Sequence, residues 1–279
     1  MKTAAIIPNY LKEKSISFSA ELKAYLLNKG YEVLVLGENE LPSKKVDFAL
    51  VLGGDGTLLR AAKRLYGMDI PLLGINFGHL GYLTEATPSD AFSAIDKIIS
   101  GEYVLENRIM LTGEVIRNNE VIHSFIGLNE ASIFRSTLKK AFKLRVNING
   151  MHVQTILGDG LVVATPTGST SYNLSLGGPV LTPSAENLVL SPISPIYYPN
   201  CSLVVNGKDE IEICVSINQP GGIGMASLEI DGDGSFEITD SDVIKIKRAE
   251  YTTKTIKVSN RSFYRILKQK LGKSKNEAE

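Results

Sequence analysis

A single carboxylate stands inside a glycine-rich turn in the stretch LVLGGDGTLLRAAK, residues 50–63. Two glycines end an apolar, strand-like run, Asp55 follows, and a further glycine and Thr57 open a helical pattern. Glycines let the backbone approach a ligand closely, and the free N–H groups of a helix start attract anions; we expect Thr57 to cap this helix. A carboxylate here can accept the proton of an alcohol whose oxygen attacks phosphorus, or help to hold Mg²⁺. Both roles belong to phosphoryl transfer.

Another interpretation of this turn stays open at the level of the motif. Asp55 can cap a tight strand-to-helix turn that binds no ligand. The turn also lacks the lysine of the GxxxxGK[ST] phosphate-binding loop and the spacing of the GxGxxG dinucleotide fingerprint. A nucleotide bound here is therefore held in another way.

A second stretch, GDGLVVATPTGSTSYNLSLGGP at residues 158–179, has an unusual composition. An apolar strand leads into a loop that carries many hydroxyl groups and no charge. Such a loop suits a neutral polar ligand such as a nucleoside, with Tyr172 able to stack. The alternative is a loop of hydroxyl-capped turns without a ligand. Asn129 and Glu130 in GLNEASI are a weak signal alone, because an Asn-Glu turn is usually just solvated.

The first hundred residues alternate between strand-like and helical periods. The apolar runs TAAIIP, YEVLVLG, VDFALVLGG and IPLLGIN are typical of buried strands. We expect helices in SISFSAELKAYLLNKG, in TLLRAAKRLY, and in PSDAFSAIDKIISG with Ser89 or Asp90 near its cap. Continuous apolar strands that alternate with helices predict a Rossmann-like parallel sheet covered on both faces, in an α/β domain.

The sequence pattern changes after Asn107. Short strand-like segments separated by Asn, Asp and Gly turns predict an all-β sandwich. Asn-Asn at 118–119 and Asn-Gly at 149–150 indicate tight turns between paired strands. Near the C terminus, TKTIKVS is strand-like, and RSFYRILKQKLG predicts an amphipathic helix that ends at Gly272. We therefore expect an α/β domain at 1–107, a β-rich domain at 108–249, and a segment at 250–279 that returns to the first domain.

Composition argues against several classes of protein. Thirty basic and thirty acidic residues leave no net charge, so we expect no nucleic-acid or membrane partner. The two cysteines form no CxxC, and the three histidines have no ligand spacing, so we expect neither a disulfide scaffold nor a structural metal site. No apolar run approaches the roughly 20 residues of a membrane span. The apolar stretch at the N terminus is too short for a signal peptide, which indicates a cytoplasmic protein.

Four motifs together resemble those of the NAD kinase family. They are GGDGT at 53–57, GHLGYLTE at 78–85, LNE at 128–130 and the long stretch at 158–179. GGDGT alone is shared with diacylglycerol kinases, sphingosine kinases and phosphofructokinases, whereas the long stretch is more specific. The resemblance implies phosphorylation of the adenosine 2′-hydroxyl of NAD by ATP, or by polyphosphate in some bacterial relatives, to give NADP. It also implies Mg²⁺ as the divalent cation and a homo-oligomer, either a dimer or a tetramer.

The same resemblance assigns roles to single residues. Asp55 would accept the proton of the 2′-hydroxyl, with Gly56 beside it. Arg60, one helical turn further on, would reach toward phosphate or ribose. Asn129 and Glu130 would hold the adenine and ribose.

Further positions complete the implied pocket. Asp159 would meet the nicotinamide end of NAD across a subunit interface. The pocket lining would comprise Thr167, Thr170, Ser171, Tyr172, Asn173, Leu174 and Ser175, while Lys140 and Ser194 match weaker family positions. Asp233 stands where many bacterial relatives have glutamine, and Leu157 lies near a position where relatives often have arginine. At these two positions the sequence departs from the pattern of its relatives, and the charge that relatives carry near position 157 is missing.

Two rival functions fit part of the sequence. A lipid or sugar kinase of the same superfamily would share GGDGT, but a lipid kinase should also show an apolar channel or a basic amphipathic helix for the membrane surface. The one basic amphipathic segment is the short C-terminal one, which packing explains better. A non-catalytic dinucleotide sensor would not need Asp55, so its presence favours the kinase.

Overall fold

The computed structural model describes residues 1–78, 81–136, 142–197, 201–217 and 226–276. These residues form two compact units, Met1–Asn107 with Thr253–Glu279, and Arg108–Thr252. Lys140, a predicted site residue, lies outside the described residues.

Eighteen strands and five α-helices make up the described chain. The first run is β1 (Thr3–Pro8), α1 (Glu13–Asn28), β2 (Glu32–Val35), β3 (Phe48–Leu52), α2 (Asp55–Arg64), β4 (Leu72–Ile75), α3 (Ala91–Ser100) and β5 (Val104–Arg108). The second run is β6 (Leu111–Arg117), β7 (Glu120–Gly127), β8 (Glu130–Arg135), β9 (Phe142–Ile148), β10 (Met151–Gly158), β11 (Gly160–Ala164), α4 (Tyr172–Ser175), β12 (Asn187–Ile193), β13 (Leu203–Asn206), β14 (Ile211–Ser216), β15 (Ala226–Ile230), β16 (Asp233–Ile238) and β17 (Val243–Arg248). The chain then continues through β18 (Thr253–Lys257) and α5 (Phe263–Asn276).

The first unit is built on a six-stranded sheet in the order β2-β1-β3-β4-β18-β5. The pairs β1–β2, β1–β3, β3–β4 and β4–β18 are parallel. All five residues of β3 are buried, because helices cover both faces of such a sheet. The strand order reverses between β1 and β3, and ligands of open α/β sheets bind outside the carboxyl ends of the strands at such a point. The predicted α/β fold is confirmed.

Two predicted details of the helices are wrong. Thr57 does not cap α2, because the helix starts at Asp55 after the extended Gly54 and has no side-chain cap. Thr57 is instead buried, and its Oγ1 accepts a hydrogen bond from Nδ2 of Asn9 at 3.1 Å. Helix α5 passes through Gly272 to Asn276, since one interior glycine costs a helix only about 1 kcal/mol. None of the helices among the described residues is both long and apolar enough to cross a bilayer.

The second unit consists of two six-stranded antiparallel sheets. Their orders are β10-β9-β14-β17-β6-β7 and β13-β12-β11-β8-β15-β16. Side chains from both sheets form one apolar core, to which β14 contributes every second residue: Ile211, Ile213 and Val215. The two predicted tight turns are present, with positive φ at 118–119 and 149–150. The predicted all-β sandwich is confirmed.

Two neighbouring leucines of α1, one buried and one exposed, allow a matched test of core packing. Leu26 is 0% exposed and lies in the core of the first unit, whereas its neighbour Leu27 is 51% exposed. We expect Leu26→Ala to lower the free energy of unfolding by about 2–5 kcal/mol, because it leaves a cavity. Leu27→Ala should change it by no more than about 0.5 kcal/mol. Urea unfolding followed by circular dichroism measures both, and equal losses would contradict this packing.

Candidate functional site

Asp55 lies where β3 ends and α2 begins, and its carboxylate is held by backbone N–H groups. Oδ2 accepts the N–H of Tyr82 at 2.8 Å. Oδ1 accepts the N–H groups of Leu83 and Thr84, each at 3.2 Å, and the Thr84 hydroxyl at 3.3 Å. The N-terminal end of α2 also favours a negative charge at this place. The carboxylate therefore has one fixed orientation, in which Oδ2 receives a single described hydrogen bond and Oδ1 receives three.

The segment that holds Asp55 is a tight turn whose first residue, Gly81, has no space for a side chain. A Cβ on Gly81 would lie 2.0 Å from Oδ1 of Asp55, so a larger residue would displace the carboxylate. The Gly81 N–H donates to Oγ1 of Thr84 at 2.9 Å, which closes the turn. Thr84 is only 2% exposed and is therefore fixed by its surroundings. Within the described part of the GHLGYLTE motif, the backbone N–H groups of residues 82–84 and the Thr84 hydroxyl hold the Asp55 carboxylate.

A cavity lies at the carboxyl end of β1, beside α2. Its lining includes Asn9, Glu38, Thr57, Arg60 and Arg64. Nη1 of Arg64 donates to the carbonyl oxygens of residues 37 and 38, at 2.6 and 2.5 Å. Nε and Nη2 of Arg64 are buried and have no partner among the described residues. Buried donors without an acceptor are costly, so this cavity suits a ligand with acceptor or anionic groups.

In the second unit, Asp231 organises the backbone around Asn129 and Glu130. Its carboxylate accepts the N–H groups of Leu128, Asn129 and Glu130, at 3.0, 2.7 and 3.1 Å. Its own N–H donates to the Glu130 carbonyl at 2.9 Å. Asp231 also has a left-handed backbone, with φ of 56°, which Asp adopts more readily than most residues. This fixes the start of β8 and the side chains that leave it.

Glu130 is a buried carboxyl group with an incomplete set of partners. It is 4% exposed, Oε1 accepts the Ser171 hydroxyl at 3.2 Å, and Oε2 is buried without a partner among the described residues. Burial and, next, the charge of Asp231 raise the pKa of Glu130 to about 7, although the Ser171 hydroxyl lowers it. An orphaned carboxylate oxygen inside a protein is costly unless a ligand supplies a donor.

The uncharged loop and the LNE motif, far apart in sequence, meet at this point. The Thr165 N–H donates to the Asn129 carbonyl at 2.8 Å. A Cβ on Gly168 would lie 2.2 Å from that same oxygen, so only glycine allows the two segments to approach. Ser171 then reaches Glu130, as described above. The two motifs therefore form one site in the second unit.

The loop divides into residues that support it and residues that face outward. Thr167, Ser169 and Asn173 are buried. Asn173 donates to the Ser169 and Pro179 carbonyls, each at 3.0 Å, and accepts the Ser191 hydroxyl at 2.6 Å. Its side chain therefore holds the loop and is not available to a ligand, contrary to its predicted role. The residues with at least partial exposure are Thr170, Ser171, Tyr172, Leu174 and Ser175.

Asp159 is paired with an arginine that sequence analysis did not single out. Nε of Arg135 lies 2.8 Å from Oδ1 of Asp159. Burial and, next, the nearby charges of Asp159 and Glu229 raise the pKa of Tyr172. Ser194 is exposed and has a positive φ of 43°. A positive charge next to Asp159 thus comes from Arg135 of β8.

The described residues do not group three or more His, Cys, Asp or Glu side chains in an arrangement that could hold a metal ion. Both cysteines, Cys201 and Cys214, are free thiols.

Comparison with known proteins identifies the family. Residues 38–103 match the model of the ATP-NAD kinase N-terminal domain, and residues 128–258 match that of the ATP-NAD kinase C-terminal domain. The chain belongs to the NAD kinase family. The resemblance of its four motifs to NAD kinases is confirmed, and with it the classification as a phosphotransferase that acts on a hydroxyl group.

Relatives within the NAD kinase family align along almost the whole chain. A protein named NAD kinase from Caldanaerobacter subterraneus subsp. tengcongensis is 35% identical over 97% of this chain and 99% of its own length. Another from Carboxydothermus hydrogenoformans is 37% identical over 97% of this chain and 95% of its own.

Two solved structures resemble this fold. An NAD kinase from Archaeoglobus fulgidus in complex with ATP has a TM-score of 0.75 and 27% identity, covering 97% of this chain and 98% of that one. Yeast NADH kinase complexed with NADH has a TM-score of 0.84, covering 98% of this chain and 88% of that one. At 18% identity it supports the fold alone.

The raised pKa of Glu130 predicts a pH-dependent effect on stability. The folded protein keeps this proton up to about pH 7, whereas the unfolded chain loses it near 4.5. Folding therefore takes up a proton between these values, and the ionised carboxylate costs stability that grows from about pH 4.5 and is complete above about pH 7. We expect Glu130→Gln to gain stability relative to wild type between pH 5 and pH 8, by roughly 3 kcal/mol at most. Urea unfolding across this range measures the difference, and a difference that is flat with pH would contradict the assignment.

Proposed function

We propose that this member of the NAD kinase family transfers the γ-phosphoryl group of ATP to the adenosine 2′-hydroxyl of NAD, with Asp55 as general base. The role of Asp55 as the base is supported by the orientation of its carboxylate, which three backbone N–H groups hold at the start of α2. Oδ2 has one described donor and keeps room for a second hydrogen bond, which a substrate hydroxyl can supply. A general base must be within such reach of the proton it removes.

The reaction then requires little covalent chemistry from the protein. The 2′-oxygen attacks the γ-phosphorus, the bond between phosphorus and the oxygen that leaves with ADP breaks, and Asp55 takes the hydroxyl proton. In such phosphoryl transfers, positioning and stabilisation of charge provide most of the rate enhancement. The fixed orientation of Asp55 supports this role because the base needs no reorganisation during the reaction.

For the phosphoryl donor, we propose the cavity at the carboxyl end of β1. It lies at the reversal of strand order, lined by Arg60 and by Arg64 with its unpartnered buried N–H groups. Mg²⁺ in kinases is usually held by one or two carboxylates together with the substrate phosphates. We propose that Asp55, the carboxylate of α2, could help to hold an Mg²⁺ ion that arrives with ATP and that would spread the phosphate charge. Gly56, exposed beside Asp55, leaves space for these groups.

For NAD, we propose the site in the second unit. Glu130, with its orphaned Oε2, and Asn129 would bind the adenine and ribose, and Tyr172 would pack on the nucleoside. Thr170, Ser171, Leu174 and Ser175 would line this pocket, Asp159 would meet the nicotinamide end, and Thr167 and Asn173 would support the loop from inside. Ser194 and Lys140 are proposed as peripheral contacts.

The organisation of the chain is part of this proposal. We propose that the two compact units are its functional domains, so that the C-terminal segment joins the first domain from Thr253 onward, three residues later than the predicted boundary. A homo-oligomer and a cytoplasmic location remain predictions from the sequence. Gel filtration with light scattering tests the first of these directly.

Asp55→Asn tests the general base. The variant keeps the shape and most hydrogen bonds of the residue but cannot accept the proton, so we expect turnover to fall by about 100- to 10,000-fold with NAD binding retained. The assay mixes protein, ATP, Mg²⁺ and NAD, and couples NADP to an NADP-specific dehydrogenase. Asp69→Asn is the control, because this carboxylate of the same unit is 71% exposed and pairs only with Lys254 as far as is described.

The same assay separates the rival functions. Near-wild-type turnover of Asp55→Asn would disprove the general-base role. If wild type binds NAD but makes no NADP, the protein is a sensor. If it does not bind NAD at all, another alcohol is the acceptor, as in lipid or sugar kinases.

Asp231→Asn tests the proposed NAD site. Asn tolerates the left-handed backbone, but its amide nitrogen cannot accept the Leu128 N–H that Oδ2 accepts now. We expect the affinity for NAD to fall about tenfold or more, since a hydrogen bond to a charged group contributes about 1.5–3 kcal/mol. Isothermal titration calorimetry measures this. Asp233→Asn, an exposed position two residues away, should bind NAD as wild type does, and equal effects would argue against an organising role for Asp231.

A further inference from the structure

Glu85 is a buried carboxylate that the proposed reaction does not use. It is 5% exposed, and its two oxygens receive four donors from the C-terminal segment. Oε1 accepts the N–H groups of Val258 and Ser259, at 3.2 and 2.8 Å, and the Ser259 hydroxyl at 2.6 Å. Oε2 accepts Nζ of Lys257 at 3.1 Å, and Lys257 is itself only 17% exposed at its side chain. Unlike Glu130, this carboxylate is fully satisfied within the protein.

Glu85 directly follows the three residues whose N–H groups hold Asp55. The turn at residues 81–84 therefore contacts two carboxylates. Asp55 accepts N–H groups of the turn itself, and Glu85, which follows the turn, accepts hydrogen bonds from the segment after β18. The Glu85 N–H also donates to the Gly74 carbonyl of β4 at 2.9 Å. A second contact joins the same parts, because the rings of Tyr82 and Phe263 of α5 lie 6.3 Å apart. Residues after β18 thus contact both Tyr82 of the turn and Glu85, which follows it.

We propose that Glu85 is a positioning residue for phosphoryl transfer, which binds Lys257–Ser259 and thereby holds the backbone N–H groups that orient Asp55. This inference rests on the proposed role of Asp55 as the base. It gives the C-terminal segment a part in the reaction that acts through the turn, since the described hydrogen bonds to the Asp55 carboxylate all come from residues 82–84.

The physical argument concerns small displacements. The turn at 81–84 touches Asp55 through hydrogen bonds of 2.8–3.3 Å, so a shift of the turn moves or rotates the carboxylate. A misplacement of about 1 Å can cost on the order of 100-fold in rate. Loss of one partner from a buried, charge-assisted network also leaves the remaining donors unpaired, which drives the segment to rearrange.

Glu85→Gln and Lys257→Met test the proposal with kcat and KM measured separately. We expect each to lower kcat about 10- to 100-fold, while KM for NAD stays close to that of wild type, because the Asp55 base is disturbed and the nucleoside contacts are not. Lys254→Met is the matched control: Lys254 lies on the same strand and pairs with Asp69, away from Glu85. Its kcat should equal that of wild type. A normal kcat in folded Glu85→Gln, or an equal loss in Lys254→Met, would overturn the proposal.

A double-mutant cycle separates positioning from a general loss of structure. If Glu85 acts through Asp55, Glu85→Gln in the Asp55→Asn background should cause little further loss of the residual turnover. An additional loss as large as in wild type would show that Glu85 acts elsewhere and would overturn the inference. Thermal unfolding of every variant establishes that the compared proteins are folded.

Ser259→Ala provides a milder test should Glu85→Gln fail to fold. It removes only the hydroxyl donor to Oε1 and leaves the backbone N–H in place. We expect a fall in kcat of a few fold with unchanged KM, and an unchanged kcat would count against the proposal. The proposed function fails separately: it fails if Asp55→Asn keeps its turnover, whereas the present inference fails if Asp55→Asn loses turnover and the Glu85, Lys257 and Ser259 variants do not.

Discussion

The acceptance of three consecutive backbone N–H groups by the Asp55 carboxylate is the interaction on which the first unit's site depends. Backbone donors cannot titrate, and they lose little entropy on ordering because the turn is already fixed by Gly81 and Thr84. They hold the negative charge at the start of α2, where the helix dipole also favours it. The carboxylate therefore keeps one direction at the start of α2.

The second unit contains the same kind of interaction, an aspartate carboxylate that accepts three consecutive backbone N–H groups, with a different consequence. Asp231 accepts the N–H groups of residues 128–130, just as Asp55 accepts those of 82–84. In the first unit the carboxylate is the proposed reacting group and the backbone holds it. In the second, the carboxylate holds the backbone so that Asn129 and Glu130 are presented. In both, an aspartate joins segments that are distant in sequence, which makes each site depend on the completed fold.

Glu85 and Glu130 are two equally buried carboxyl groups that differ in the number of hydrogen-bond donors they receive. Both are about 5% exposed, but Glu85 receives four donors and Glu130 receives one from the described residues. Burial and, next, the charge of Asp231 raise the pKa of Glu130 to about 7, and a neutral isostere would avoid the cost of the buried charge. A protein that keeps such a group in place gives up stability at a position where a ligand with N–H or O–H donors can restore it. The satisfied Glu85 contributes order to the neighbouring turn.

The sequence alone determined the fold class, the tight turns at 118–119 and 149–150, and the family, because these depend on local periodicity and on motifs that can be compared one by one. It also selected Asp55, Asn129, Glu130 and the uncharged loop. It could not determine that Thr57 is buried, that α5 passes Gly272, or that Asn173 supports the loop from inside. The partners Asp231, Arg135 and Glu85 were likewise missed. Each of these acts through hydrogen bonds or ion pairs to residues 24 to 174 positions away, and no local pattern records which distant donor will face a carboxylate. Only the tertiary structure decides that pairing, because most buried polar groups are stable only where the fold brings a hydrogen-bond partner to them.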